Sequence, residues 1–266
     1  MFGACEHERY AVSMSPVVLL HGIFGWGQLK LGPMVVDYFR KIAEAIRQRG
    51  HPVLSPQVHP TGSIARRAQQ AKDAILPWLK EECGGRRAVV IAHSMGGLDA
   101  RYMISRLGMG EHVAALVTIA TPHRGSPVAD FWVQSAPMKR VGLPLLEQLG
   151  LDVDAASDLT TAAAKRFNEE VTDHPGVRYF SVAAAVPADR VPMALRLGYR
   201  IVRRKEGEND SMVSVRSAMW GEHLETWPVH HLHAINRRFP IDLRAPIGDV
   251  SPMYVGILER LGEAGV

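Results

Sequence analysis

The stretch Ala92-His93-Ser94-Met95-Gly96 sets a serine between small residues, with an apolar, β-branched run before it and a helical pattern after it. It fits the pattern G-x-S-x-G with alanine in the first place. Such a serine sits on a tight strand-to-helix turn, strained, with its hydroxyl raised above the sheet. Small residues two before and two after are needed because backbone and helix approach closely there. Five residues alone match weakly, and the flanking strand and helix make the match specific. Amides at the start of the following helix point to where negative charge develops in acyl transfer. The N–H of Met95 is therefore the natural first oxyanion donor. The second should come from the loop after an early strand, where His21-Gly22-Ile23-Phe24-Gly25 lies, and the N–H of Ile23 is the expected group.

A serine hydroxyl attacks only once a base takes its proton, and this arrangement runs in the chain order serine, acid, histidine. The candidate bases are His223, His230, His231 and His233. For the acid, the polar, turn-like stretch Gly207-Glu208-Asn209-Asp210-Ser211 offers Asp210, with Asp189 as the alternative. The four histidines could also be read as zinc ligands. One base plus surface histidines explains them with less, so no metal is expected.

Positioning these groups requires alternating strands and helices. Buried-type strands are expected at Pro16 to Leu20, Pro52 to Ser55, Arg87 to Ala92, Ala114 to Ala120 and Val177 to Val186. Helices are expected over Val35 to Gln48, from just after the capping Ser63 through Leu79, Leu98 to Leu107, Thr161 to Val171 and about Met253 to Gly262. The stretch 127–157 reads as apolar and less regular. The alternation predicts an α/β fold with a mainly parallel sheet.

With 47% apolar and 22% charged residues, the 266-residue chain has the composition of a globular protein with a sizeable core. The formal charge of +4 comes with short basic runs lacking interleaved aromatics, which argues against nucleic-acid binding. Cys5 and Cys83 are too few for a disulfide framework. No stretch approaches the ~18 apolar residues of a membrane helix. Residues Met1 to Ser15 do not read as a secretory signal, so a cytoplasmic protein without an integral membrane segment is expected.

Taken together these segments resemble the bacterial triacylglycerol lipases of the Pseudomonas and Burkholderia true-lipase group. The matching pieces are Pro16 to Gly22, Ala92 to Gly97 with Arg101-Tyr102, Thr118 to Ser126, Leu159-Thr160-Thr161 with Phe167-Asn168, Asn209 to Ser214, and His231 to Asn236. The resemblance implies an α/β-hydrolase fold with flanking helices and a small helical cap. It also implies a serine hydrolase of lipid or smaller esters, with Asp210 as acid, His231 as base, Ile23 and Met95 as oxyanion donors, and transient contact with a lipid surface. The group holds a structural calcium near the histidine. Here His233 and Arg237 stand at two of its ligand positions, the wrong donors for a hard cation, so neither calcium nor any cofactor is expected.

One domain over 1–266 is expected, with a cap insertion at about 127–160. Phe24, Phe131, Trp132, Leu145 and Leu146 are the expected acyl-pocket and lid residues. Two other classes fit the same residues: a thioesterase or acyltransferase on the same triad, and a non-catalytic protein binding a hydrophobic ligand.

Overall fold

A computed structural model describes residues 14–135, 154–237 and 248–266, apart from residues 24, 26–27, 32–33 and 40. Its centre is a six-stranded sheet in the order β4-β1-β5-β6-β7-β8, with every neighbouring pair parallel. The strands are β1 (Val17–Leu20), β4 (Val53–Leu54), β5 (Ala88–His93), β6 (Val113–Ile119), β7 (Arg178–Ala184) and β8 (Glu222–Trp227). β1 and β5 are buried along their whole length. Runs such as Val-Val-Leu-Leu lack polar alternation for this reason, since both faces are covered.

Helix α2 (Ile64–Glu81) is capped by the Ser63 hydroxyl accepting from the Arg66 N–H, and it packs with α3 (Gly96–Arg106) on one side of the sheet. On the other side, α1 (Ile42–Arg47) packs against α9 (Ser251–Glu263). Two apolar clusters fill these layers. Val17, Leu19, Val89 and Ile91 point into one, and Val18, Leu20, Val90 and Ala92 into the other. This is the period-2 alternation of a strand.

The chain leaves β1 for β4 on one side, then returns for β5 on the other. Loops at the carboxyl ends of β1 and β5 therefore meet at a topological switch point, where open α/β sheets form sites. Register alone pairs Leu20 with Ala92 and so brings Gly22 beside Ser94.

The structure corrects the reading of the sequence in several places. Val35 to Gln48 is not one helix. β2 (Gln28–Leu31) and β3 (Met34–Asp37) pair antiparallel, and α1 begins only at Ile42. The Gly32-Pro33 turn signal and β-branched Val35-Val36 outweigh the apparent helical spacing. The stretch that begins at 127 holds α4 (Pro127–Gln134), capped by Ser126, and leads into α5 (Asp154–Asp158). After α6 (Thr161–Glu170) and β7 come α7 (Arg196–Glu206), α8 (Val215–Ala218) and β8. No helix among the described residues is long and apolar enough to cross a membrane.

Candidate active site

Ser94 follows directly on β5 with φ +55°, a conformation rare for a residue bearing a Cβ. Its own N–H donates to the Ile119 carbonyl at 2.9 Å, and its carbonyl accepts from the Thr121 hydroxyl at 2.8 Å. The strain is thus held from both sides. Small residues are required around it. A Cβ on Gly96 would stand 2.6 Å from the Leu20 carbonyl oxygen, and one on Gly22 would stand 2.8 Å from the Ser94 Cβ.

His231 lies on the turn after β8, and Asp210 on the turn before α8. The Ser94 hydroxyl donates to His231 Nε2 at 3.0 Å, and His231 Nδ1–H donates to Asp210 Oδ2 at 2.7 Å. Asp210 is fully buried, and its Oδ1 accepts the N–H groups of Met212 at 2.8 Å and Val213 at 2.7 Å. The Asp210 carbonyl also accepts the His231 N–H at 2.8 Å, so acid and base are joined through backbone as well as side chain. Asp189 lies elsewhere, exposed on a 3-10 turn. His230 and His233 are buried, correcting the expectation of surface histidines, and His223 is half-buried on β8. His230 Nδ1 accepts the His233 N–H, so these rings shape the turn that carries His231.

Ile23 packs against the apolar cluster that holds Met95. Among the described residues neither of their N–H groups is taken by a backbone carbonyl. The loop carrying Ile23 is fixed by buried groups whose importance the sequence did not reveal. Arg67 of α2, paired with Asp99 at 2.8 Å, donates to the His21 carbonyl at 2.7 Å. Tyr38, between β3 and α1, accepts the Gly22 N–H at 3.1 Å and contacts His93 Nδ1 at 2.9 Å. His93 Nε2 faces the His231 carbonyl at 3.1 Å. A carbonyl only accepts, so Nε2 carries the proton, Nδ1 accepts, and Tyr38 donates to it. One chain of hydrogen bonds therefore runs from the loop of Ile23, past the residue before Ser94, to the backbone of His231.

Three buried histidines are held neutral. Burial, with Arg67 adding to it, lowers His21 to about 4. Burial first, then His231, puts His93 well below the usual imidazole range. Burial, then Arg101 and Arg124, does the same to His123. Each ring also turns one nitrogen toward a donor: the Val58 N–H, the Tyr38 hydroxyl and the Arg101 guanidinium respectively. A second proton would break that bond.

The unfolded chain protonates all three rings as pH falls through about 6.5, and the folded chain does not. Their contribution is thus complete above that pH and lost below it. Asp99 works in the opposite sense, because burial lifts its carboxyl to about 6 against the pull of Arg67. The three histidine losses should outweigh the gains at Asp99 and at Asp158, whose carboxyl burial also raises, so stability should fall between pH 7 and pH 5. Urea unfolding at the two pH values checks this, and equal stability at both would refute it.

The residues near His231 do not fit calcium. His233 Nε2 bonds the Gly248 carbonyl at 3.3 Å, and the Arg237 guanidinium lies 5.5 Å from the Tyr38 ring centroid. The turn is fastened instead by Asn236, whose Nδ2 donates to Asp249 at 2.8 Å and Ser251 at 3.0 Å. Its Oδ1 accepts the Val250 N–H at 2.9 Å. Of the expected pocket residues, Phe131 and Trp132 meet edge to face on an exposed side of α4. Phe24, Leu145 and Leu146 lie outside the described residues.

Residues 15–144 match the family model of the α/β hydrolase fold. The chain is 27% identical to triacylglycerol lipase 2 of Saccharomyces cerevisiae, over 86% of this chain and 82% of the relative. It is also 27% identical to a triacylglycerol lipase of Vibrio cholerae, over 99% and 92%. Among solved structures it resembles the mature lipase BlEst2 of Bacillus licheniformis, with TM-score 0.71, 21% identity and 94% of each chain covered. It also resembles the metagenomic carboxyl esterase MGS0156, with TM-score 0.75, 19% identity, and 96% of this chain and 77% of the other covered.

Proposed function

The chain has the α/β-hydrolase fold, and we propose that it hydrolyses carboxylic esters through Ser94, His231 and Asp210. The observation that carries this reading is the unbroken relay from a strained serine through His231 to a buried carboxylate, at 3.0 and 2.7 Å. The lipase and esterase names of its relatives support the same chemistry.

His231 takes the Ser94 proton as the hydroxyl oxygen attacks the ester carbonyl, and the N–H groups of Ile23 and Met95 hold the oxyanion. The imidazolium then protonates the leaving alcohol. Water, activated by the same ring, releases the acid and regenerates Ser94. Asp210 orients the ring and stabilises its charged form. The substrate class is a lipid ester with a medium or long acyl chain.

Fluorophosphonate should label the folded protein once, at Ser94, as read by peptide mass, and absence of labelling overturns the enzymatic reading. A chain-length series of p-nitrophenyl esters, run beside the matching thioesters, tests the substrate. Faster turnover of thioesters would replace ester hydrolysis with thioester chemistry.

A further inference from the structure

Exposed large apolar side chains among the described residues are Met14, Phe131, Trp132, Met193 and Leu197. Scattered singly, such residues carry no message. Four of the five, however, belong to adjoining elements. Phe131 and Trp132, 44% and 45% exposed, sit on α4. Met193, 81% exposed, sits on the 3-10 turn Met193–Leu195 that runs into α7, whose Leu197 is 52% exposed. α4 packs directly on α7. Gly198 permits the close fit of α7, since a Cβ there would stand 2.4 Å from the Ser211 carbonyl oxygen and 3.5 Å from Val128 of α4.

The charge of this region is as uneven as its apolarity. Residues 189–206 hold Arg190, Arg196, Arg200, Arg203, Arg204 and Lys205 against Asp189 and Glu206. That surplus of four equals the formal charge of the whole chain, +4, so the rest of the sequence balances. All six cations are exposed, and among the described residues none forms an ion pair. Arg196, Arg200 and Arg203 recur at i, i+4 and i+7, which places them on one stripe of α7. Leu197 and Arg204, seven apart, run beside it.

α4 leaves the carboxyl end of β6, and the Met193 turn and α7 follow the carboxyl end of β7. Ser94 follows the carboxyl end of β5, which is parallel to both. The patch and the nucleophile therefore belong to the same end of the sheet.

We infer that the α4–α7 face docks on anionic phospholipid bilayers, its four apolar side chains entering the headgroup boundary and its cations meeting lipid phosphates and carboxylates. Interfacial helices combine an apolar edge with a basic face in this way. A nucleic acid would leave protruding methionine and leucine side chains with nothing apolar to cover them. The inference goes beyond the ester chemistry, since it needs no turnover.

The test is co-flotation of the full chain with ether-linked, hydrolysis-resistant phosphatidylcholine vesicles, with and without phosphatidylserine. Binding should require phosphatidylserine and fall with salt. The triple substitution Arg196→Gln, Arg200→Gln, Arg203→Gln should weaken it about 100-fold, at roughly fivefold per cation. Met193→Ser with Leu197→Ser should weaken it as well. Both variants should hydrolyse a soluble short-chain ester at the parent rate, which shows that they fold. Equal binding to both vesicle types, or undiminished binding by the triple variant, overturns the proposal. So does binding to polyglutamate without binding to vesicles, which would assign the face to an acidic protein. An inactive parent chain that still floats with phosphatidylserine would sink the ester reading and leave this one standing.

Discussion

Ser94→Ala is expected to lower kcat for ester hydrolysis by about 10⁶-fold, the scale on which a triad fails as a unit. The argument rests on what the substitution leaves in place. The amides of Ile23 and Met95 and the Asp210–His231 pair are untouched, so binding and oxyanion stabilisation persist. Only the oxygen 3.0 Å from His231 Nε2 disappears, and with it the covalent intermediate. Because the residues act together, Ser94→Ala combined with His231→Ala should be scarcely slower than either alone. Folding should survive. Alanine at φ +55° bears the same strain as serine, and the lost hydrogen bond is worth about 1 kcal/mol. Turnover of a p-nitrophenyl ester, with thermal unfolding as control, decides the matter. A variant within about a hundredfold of the parent, far short of the triad scale, would remove Ser94 from the nucleophile role.

The elements legible in the sequence are those whose surroundings constrain composition strongly. β1, β5 and β6 are covered on both faces, so they stand out as apolar runs. The turn at Ser94 is legible because its backbone excludes side chains from Gly22 and Gly96. β8 leaves no such mark because Glu222-His223-Leu224-Glu225-Thr226-Trp227 is a charged edge strand, paired among the described residues with β7 alone and buried only at Trp227. α7 was missed because just one of its residues, Val202, is fully buried, so apolar periodicity gives it no signature.

Tyr38 shows the limit most clearly. Its hydroxyl joins Gly22 to His93, yet in sequence it reads as one more apolar position on a helix that does not form. The choice between Asp210 and Asp189 was likewise open on spacing alone. What separates them is burial, the two N–H donors within the turn of Asp210 itself, and the approach of His231 on the turn after β8, none of which spacing shows.

That donor geometry makes Asp210→Asn a sharper experiment than truncation. The Oδ1 position is claimed by two backbone N–H donors, Met212 at 2.8 Å and Val213 at 2.7 Å. An asparagine must place its amide oxygen there, because turning its NH2 toward them would set donor against donor in a fully buried site. Its NH2 is then left where Oδ2 stood, 2.7 Å from His231 Nδ1. That nitrogen must become the acceptor, which moves the ring proton to Nε2, facing the Ser94 hydroxyl. The ring can then no longer take the serine proton. A near-isosteric change should therefore lower kcat about 10⁴-fold through the wrong tautomer, with the fold intact. Nitrogen-15 spectra of the imidazole should show the proton on Nδ1 in the parent and on Nε2 in the variant. A variant that keeps the parent tautomer would show that the two backbone donors do not orient the side chain at this position, and one that loses less than tenfold would show that neither the charge of Asp210 nor its hold on the tautomer carries the rate.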